Sequence, residues 1–528
     1  MTYSKSFTYN GGIFPIFLSP IDAAVILSPL MDKTILHYHN QTKHHFHRFA
    51  RSQGYLDWET QPHPFRYYEG APRIALPFSS TMDPLPYKIL FGISRRDAER
   101  FSLDSIASFF RYSLGLSAWK EYRGERWALR VNPSSGNLHP TEGYAILPSS
   151  ITGNPSPTVY HYVSEVHCLE TRGILPEHSG MVLGLSSEVF LVALSSIPWR
   201  EAWKYGERAF RYCQHDTGHA LAALRFSAAL HGWNLQLLPH WSTKDIETLL
   251  GLIRLDEFHE QESEEAECIA IVSRNEKVTP LSLPHEIDSI GVSAIWNGKA
   301  NRLSSDHVSW PIIEEAAKAS RVEKSSIIPD FQWPWSNPLW KQDSSDPKVA
   351  RQILLQRRSA QAFDSHCRIT QEKFIRFLSR LLPGPWSPWD TLYWPPFIHL
   401  AFFVHQVEGL SPGIYILMRD PQKREALQIA THSSFAWNHP KGISAEIPFY
   451  LMQSGDVRDL AASLSCQQDI AGDSFFSIGM IAEFAEPLQR YGAWFYRNLF
   501  WECGMIGQVL YLEAEAAGAR GTGIGCYF

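Results

Sequence analysis

The sequence predicts an α+β protein made of two related halves. Each half is a mixed, mostly antiparallel sheet flanked by helices, and the two pack as a pseudo-dimer within one chain. Three observations predict this. The chain repeats itself once, the copies run through helix and strand patterns in the same order, and its 44% hydrophobic content over 528 residues suffices for more than one core. The repeat is clearest between "KYGERAFRYCQHDTGHALAALRFSAALHG" (204–232) and "RYGAWFYRNLFWECGMIGQVLYLEAEAAG" (490–518). Tyr205 falls on Tyr491, Gly206 on Gly492, Arg211 on Arg497, Asp216 on Glu502, Gly218 on Gly504 and Gly232 on Gly518. Repeats kept in order mark repeated structural units, and two like units pack by default about a two-fold axis.

The elements follow along the chain. Residues 1–36 form an N-terminal extension. Its apolar run, Ile13 to Met31, contains Asp22 and several prolines and lacks a basic leader, so neither a signal peptide nor a membrane span is expected. Residues 37–84 are a lead-in segment. They open on "HYHNQTKHHFH", where His44, His45 and His47 sit without acidic or cysteine partners and are expected to be solvated or packed. The first half, 85–275, opens on "RRDAERF" (95–101). The loop "PSSGN" (133–137) then leads into the strand-like run Tyr144 to Leu147. A strand containing "SPTVYHY" (156–162) and the alanine-rich helix of the repeat follow, the helix closed by Gly232. Residues 276–344, with "IIPDFQWPWSNPLW" (327–340), are expected to be a linker or crossover. The second half, 345–528, repeats the order with "RRSAQAF" (357–363), "SPGIYIL" (411–417) and the second helix.

A net charge of −6 argues against a nucleic-acid partner, which would call for basic clusters. The seven cysteines include no C-x-x-C pair. They point to a reducing, cytoplasmic setting with no disulfide framework and no metal site. No membrane partner is indicated.

The "PSSGNLHPTEGY", "RRSAQAF", "VEGLSPGIY" and "GTGIGCYF" segments together resemble the nitroreductase superfamily, and within it the SagB/ThcOx-type FMN-dependent dehydrogenases in a tandem-duplicated form. The resemblance covers most of residues 37–528. It implies one flavin in the interface between halves, with an Arg-Arg-Ser turn on the phosphate and the Pro-Ser-Ser-x-Asn loop over the ring. The residue chemistry agrees. Arg357, Arg358 and Ser359 offer planar, permanently charged donors backed by a hydroxyl, as a phosphate requires. Pro133, Ser134, Ser135 and Asn137 supply a shaped loop with donors and acceptors for a flavin edge. Gly521, Thr522 and Gly523 are implied to approach the flavin through backbone N–H groups.

The loop occurs once. The second half reads "PWDTLYWPPFIHL" (388–400) in its place, and the first half has Asp97 where the second has Ser359. One pseudo-symmetric site therefore keeps both parts and the other keeps neither, which predicts one FMN per chain. A monomer suffices for such a site.

By the same resemblance, Lys204 and Tyr205 are the candidate acid/base pair. The implied reaction removes a hydride to flavin N5 and a neighbouring proton to a base. The substrate is an amino-acid-derived or peptide-like small molecule, with dioxygen or NAD(P)H as electron partner. Two alternatives stand beside it: an NAD(P)H-dependent nitroreductase, and a flavin-free structural or partner-binding protein. Arg208 and Arg211 either bind an acidic substrate or, as the favoured expectation, pair with Glu207 and Asp216. His215 and His219, at i and i+4, lack a third ligand for a metal. His139 and Glu142 either line the pocket or pack at the strand edge.

Overall fold

Two antiparallel sheets, one from each half, share a core with a pair of long helices. The computed structural model describes residues 32–78, 84–92, 96–274, 286–340 and 348–528. The N-terminal apolar run and Arg95 lie outside the described residues.

The first sheet has eight strands. Across it run Ile295–Trp296, Cys168–Ile174, Thr158–Val163, Thr141–Leu147, Val189–Ser196, Glu265–Ser273 and Asn234–Leu237, with Arg73–Ala75 also on Cys168–Ile174. The second sheet has four strands in the order Phe449–Ser454, Gly413–Leu417, Ile398–Val404 and Phe476–Ala482. Every ladder in both sheets is antiparallel. Side chains alternate between the faces of a strand. Ala145, Leu147, Val192 and Leu194 therefore join the shared core, while Tyr144, Ile146, Leu191 and Ala193 fill a second cluster behind the sheet. The second sheet does likewise, with Leu400 and Phe402 in the shared core and Ile414, Ile416 and Met418 behind. Both faces are covered, so the strands read as nearly continuous apolar runs.

The long helices, Ala209–Leu230 and Phe495–Ala516, have 22 residues each. They cross backbone to backbone at Gly218 and Gly504, the residues aligned in the repeat. A Cβ on Gly218 would collide with the Trp501 carbonyl, and one on Gly504 with the His215 carbonyl. Two glycines at one level permit that approach. Each long helix holds the chain before one of the matching strands, Asp216 at Ser135 before Thr141–Leu147 and Glu502 at Phe397 before Ile398–Val404.

The stretch 276–344 is more than a tether. It supplies the strand Ile295–Trp296 of the first sheet, a short strand Lys299–Ala300 paired with Tyr68–Glu69, and the helices Ile287–Ser293 and Pro311–Ala319. The cysteine expectation needs correcting. Cys466 and Cys526, 60 residues apart, are disulfide-bonded with Cα atoms 5.8 Å apart. Only the fold brings them together, so no local spacing announces the pair. Cys168, Cys213, Cys268, Cys367 and Cys503 are free. Among the described residues no helix is long and apolar enough to cross a membrane.

Candidate functional site

The loop after Pro133 is a single tight turn, Ser135–Asn137, with three left-handed residues in close succession: Gly136, Asn137 and His139. Asparagine tolerates that region better than most residues. The side chains hold the turn in place. Asp216, on the first long helix, accepts the Ser135 N–H at 3.0 Å and the Ser135 hydroxyl at 3.0 Å. The His139 N–H donates to Ser134 Oγ at 2.8 Å. Asn137 Nδ2 donates to the Ala128 carbonyl at 2.9 Å, and its Oδ1 lies 3.1 Å from His139 Nε2. Ser135 and Asn137, read from sequence as cofactor donors, are thus engaged in shaping the loop. Pro133 is buried beneath it and Gly136 is exposed at its tip.

The Arg-Arg-Ser turn of the second half meets the first half directly upstream of this loop. Arg357 ends the helix Ala350–Gln356. Its Nε donates to the Val131 carbonyl at 3.2 Å and its Nη2 to the Arg130 carbonyl at 2.9 Å. The guanidinium lies 5.1 Å from the Tyr511 ring centroid. Arg357 is only 4% exposed, and among the described residues no carboxylate stands within ion-pair distance of it. Burial, with Arg358 close by, pushes its pKa down to about 10. Arg358 donates to the Leu355 and Arg357 carbonyls at 2.8 and 2.6 Å and to Ser117 Oγ at 3.3 Å. Burial and then the charge of Arg520 lower its pKa as well.

Tyr511 ties this turn to the C-terminal glycine run. Its hydroxyl lies 3.0 Å from Ser359 Oγ and accepts the Gly523 N–H at 2.8 Å. The Ala360 N–H donates to the Gly521 carbonyl at 2.9 Å. Thr522 sits half-buried between these anchors. His219, on the first long helix, completes the junction 6.0 Å from the Tyr511 ring. Burial, and then Arg357, hold its pKa down at about 3, so it is neutral there.

Lys204 and Tyr205 end the short helix Pro198–Tyr205. The Lys204 Nζ lies 5.5 Å from the Tyr205 ring centroid, and Tyr205 packs on Tyr212 at 4.4 Å. A Cβ added to Gly136 would lie 2.7 Å from the Tyr205 hydroxyl, so the loop tip and this tyrosine touch. The fold therefore brings the loop tip onto Tyr205, and the Arg-Arg-Ser turn and the glycine run onto Tyr511, with Arg357 reaching the backbone just before the loop. Tyr511 carries no motif and escaped the sequence reading. The aligned repeat offered one signal for Asp216, its match with Glu502.

The arginines expected to pair with Glu207 and Asp216 do otherwise. Arg208 donates to the Thr42 and Gly525 carbonyls at 2.6 and 2.9 Å. Arg211 donates to Thr42 Oγ1 at 2.8 Å and to the His39 carbonyl. Glu207 faces Arg51 at 3.5 Å. The lead-in segment, invisible to a helix-by-helix reading, takes both arginines. His139 and Glu142 prove to be buried packing residues, Glu142 bound by His161 at 3.1 Å and by Arg200 at 2.5 Å.

Asp216 is consequently buried with no cation within ion-pair distance among the described residues, and burial raises its carboxyl to about 7, Ser134 and Ser135 opposing the shift. A carboxyl raised on folding contributes full stability below its unfolded pKa and loses it as pH rises through about 7. Asp216→Asn should therefore flatten the dependence of Tm on pH between 5 and 8. The variant should gain on the parent as pH rises, by at most about 4 kcal/mol. Thermal melts across that range check this; parallel curves would refute it.

The pseudo-symmetric place in the second half is filled. Asp390 forms a two-pronged pair with Arg225 at 2.9 and 2.8 Å. Trp386, Trp389 and Trp394 are buried there, and Arg380 lies 4.3 Å from the Trp340 ring. Arg96 donates to the Leu230 carbonyl at 2.8 Å, while Asp97 is exposed.

No family model matches the sequence, and no curated protein sequence matches it. Solved structures do. A chain described as a candidate nitroreductase from Anabaena variabilis is similar over 94% of this chain and 94% of its own, at 19% identity and a TM-score of 0.67. A second, from Ralstonia eutropha and of like description, covers 40% of this chain and 96% of its own at 13% identity and a TM-score of 0.29. A chain of the Escherichia coli microcin synthetase complex covers 49% of this chain and 87% of its own at 16% identity and a TM-score of 0.26. The last two scores carry no argument, and the first concerns the whole two-half arrangement. The chain has the nitroreductase fold, present as two nitroreductase-like halves packed as an intrachain pseudo-dimer.

Proposed function

We propose that the protein is an FMN-dependent oxidoreductase with one flavin per chain, held between the Pro133–Asn137 loop and the Arg357–Ser359 turn. One observation carries the reading. Arg357 is a buried guanidinium that, among the described residues, donates only to backbone carbonyls, and it lies next to Arg358. Buried charge without an opposite charge is costly, and a phosphate would supply that charge. The residues present thus fit the phosphate end of FMN, with Ser359 as hydroxyl donor and Gly521, Thr522 and Gly523 flanking it. Ser134, Ser135 and Asn137 hold the loop in shape, so that its backbone meets the ring. Bound FMN would supply a two-electron acceptor at N5.

The chain's own residues then handle the proton. Tyr205, touching the loop tip, and Lys204 beside it form the acid/base pair. Burial raises the Tyr205 hydroxyl far above its usual range, with Glu201 and Tyr212 adding to the effect. It therefore stays a protonated hydroxyl rather than standing as a free phenolate. The substrate is an amino-acid-derived or peptide-like small molecule, with dioxygen or NAD(P)H as electron partner. The filled counterpart site supports a tandem duplication in which one site was lost.

A second reading, an NAD(P)H-dependent nitroreductase, is favoured by the description of the Anabaena neighbour. The visible spectrum of the purified protein, with released cofactor quantified, tests both against a flavin-free protein. About one FMN per chain is expected. About two would overturn the one-site assignment, and none after incubation with FMN would overturn the flavoprotein reading.

A further inference from the structure

Residues 521–528 form a strap fastened along its length to both parts of the composite site. At its start the Gly521 carbonyl accepts the Ala360 N–H at 2.9 Å, and the Gly523 N–H donates to the Tyr511 hydroxyl at 2.8 Å. Tyr511 is the residue that meets Ser359 and lies against Arg357. Two residues on, the Gly525 carbonyl accepts from Arg208 Nη2 and from the Tyr212 hydroxyl, both at 2.9 Å. The backbone passes so close to Tyr212 that a Cβ on Gly525 would lie 2.6 Å from its ring. Tyr212 packs on Tyr205, and Tyr205 touches the loop tip. The strap thus runs from the Arg-Arg-Ser turn to the tyrosines beside the loop.

Beyond Gly525 the strap is locked covalently. Cys526 is bonded to Cys466, and the Phe528 N–H donates to the Leu464 carbonyl at 3.0 Å. The Phe528 ring lies 4.6 Å from Phe46 and 5.7 Å from Phe49 of the lead-in segment. Cys466 follows the helix Arg458–Leu464 in a turn where it and Gln467 both take left-handed backbone, with φ of 55° and 62°. Non-glycine residues stay in that region only where their surroundings enforce it. Every residue of the strap is exposed or half-buried, and each hydrogen bond that fastens it contributes little against water. The disulfide keeps the strap beside its anchors and so raises its effective concentration there. Exchange with an external thiol requires access. Cys466 and Cys526 are half-buried, whereas Cys168, Cys213 and Cys268 are sealed in the interior.

We propose, resting on the flavoprotein reading, that the Cys466–Cys526 disulfide is a redox latch on this strap. Oxidised, it holds the strap across the two parts of the flavin site. Reduction by a dithiol releases the strap and weakens FMN binding. A thiolate of the reductant attacks one sulfur, the S–S bond breaks, and a mixed disulfide forms as the other cysteine leaves. The reductant's second thiol then closes its own disulfide and frees the remaining cysteine. Two electrons and two protons pass from the dithiol to the pair, leaving two cysteine thiols and an oxidised reductant.

The full chain tests this, oxidised or treated with dithiothreitol while folded and then freed of reductant under nitrogen. Alkylation should find the thiols of Cys466 and Cys526 only after treatment, with the exposed Cys367 labelled in both forms. Hydrogen exchange read by mass spectrometry should show residues 521–528 exchanging about tenfold faster or more in the reduced chain. Fluorescence titration should show FMN bound about tenfold more weakly by that chain. Cys526→Ser should match the reduced parent in both readings and ignore the reductant; Cys466→Ser takes its place should that variant not fold. Cys367→Ser should respond to dithiothreitol as the parent does. A pair that stays unlabelled after treatment, strap exchange unchanged by reduction, or measurable but equal FMN affinity in the two forms overturns the latch. A strap that loosens on reduction in a protein that binds FMN in neither form sinks the flavoprotein reading and leaves the reducible strap standing.

Discussion

Replacing Arg357 and Ser359 together with alanine should release the flavin. The affinity for FMN should fall by about a hundredfold or more, and the protein should purify colourless. Hydrogen bonds to charged groups contribute about 1.5–3 kcal/mol each. A buried guanidinium and a hydroxyl on one phosphate together therefore supply about two or more powers of ten in Kd. Arg357 also binds the Val131 and Arg130 carbonyls across the junction of the halves, so some loss of Tm accompanies the change. Two controls separate the effects. Arg357→Lys keeps the charge but not the fork of donors, and should retain part of the affinity. Asp97→Ala, on the exposed counterpart turn, should leave FMN binding within about twofold, as surface changes far from a site generally do. Fluorescence titration of the apoprotein with FMN measures all three. Unchanged FMN affinity in the double variant would remove the composite site from consideration.

Much of this arrangement was legible in residues 204–232 and 490–518. Their alignment placed Gly218 on Gly504, and those two glycines are where the long helices touch. It placed Asp216 on Glu502, and both carboxylates hold the loop before the matching strand. Local pattern sufficed because each repeat is one structural unit. What could not be read depends on partners distant in sequence. The Asn137 amide donates to the Ala128 carbonyl and lies against His139, two contacts that shape the loop and that no local spacing announces. Arg208 and Arg211 had acidic neighbours in sequence, yet they reach the lead-in segment and the C-terminal tail. Cys466 and Cys526 are joined by the same folding-back of the tail. Tyr511 is one aromatic among many on an apolar helix. Only its hydroxyl, set between Ser359 and Gly523, marks it.

Removing the cation from the counterpart position should damage stability and spare the flavin. Arg419 is fully buried, donates to the Leu381 carbonyl at 2.8 Å, lies 4.6 Å from the Trp389 ring and is paired with Glu502. Arg419→Met leaves Glu502 buried without a counter-charge, and breaking one side of such a pair costs about 3–5 kcal/mol. Burial already raises the Glu502 carboxyl, with Arg419 as the main opposing influence. The variant therefore raises it further. A carboxyl raised on folding loses its stabilising contribution as pH rises through its folded pKa, so the Tm deficit should be small near pH 5 and largest near pH 8. Adding Glu502→Gln removes the stranded charge and should recover most of the loss. FMN bound per folded chain should not change in either variant, because the second half's loop position is filled by the Asp390–Arg225 pair and tryptophans. Thermal melts at both pH values, paired with flavin quantification, decide the matter. Loss of FMN with stability intact would show that this place takes part in cofactor binding, and the one-site assignment would fail. The expected pattern would assign different work to the same position in the two halves. Where Arg419 neutralises Glu502 the carboxylate is structural, and Asp216, with no such cation among the described residues, holds the retained loop in place.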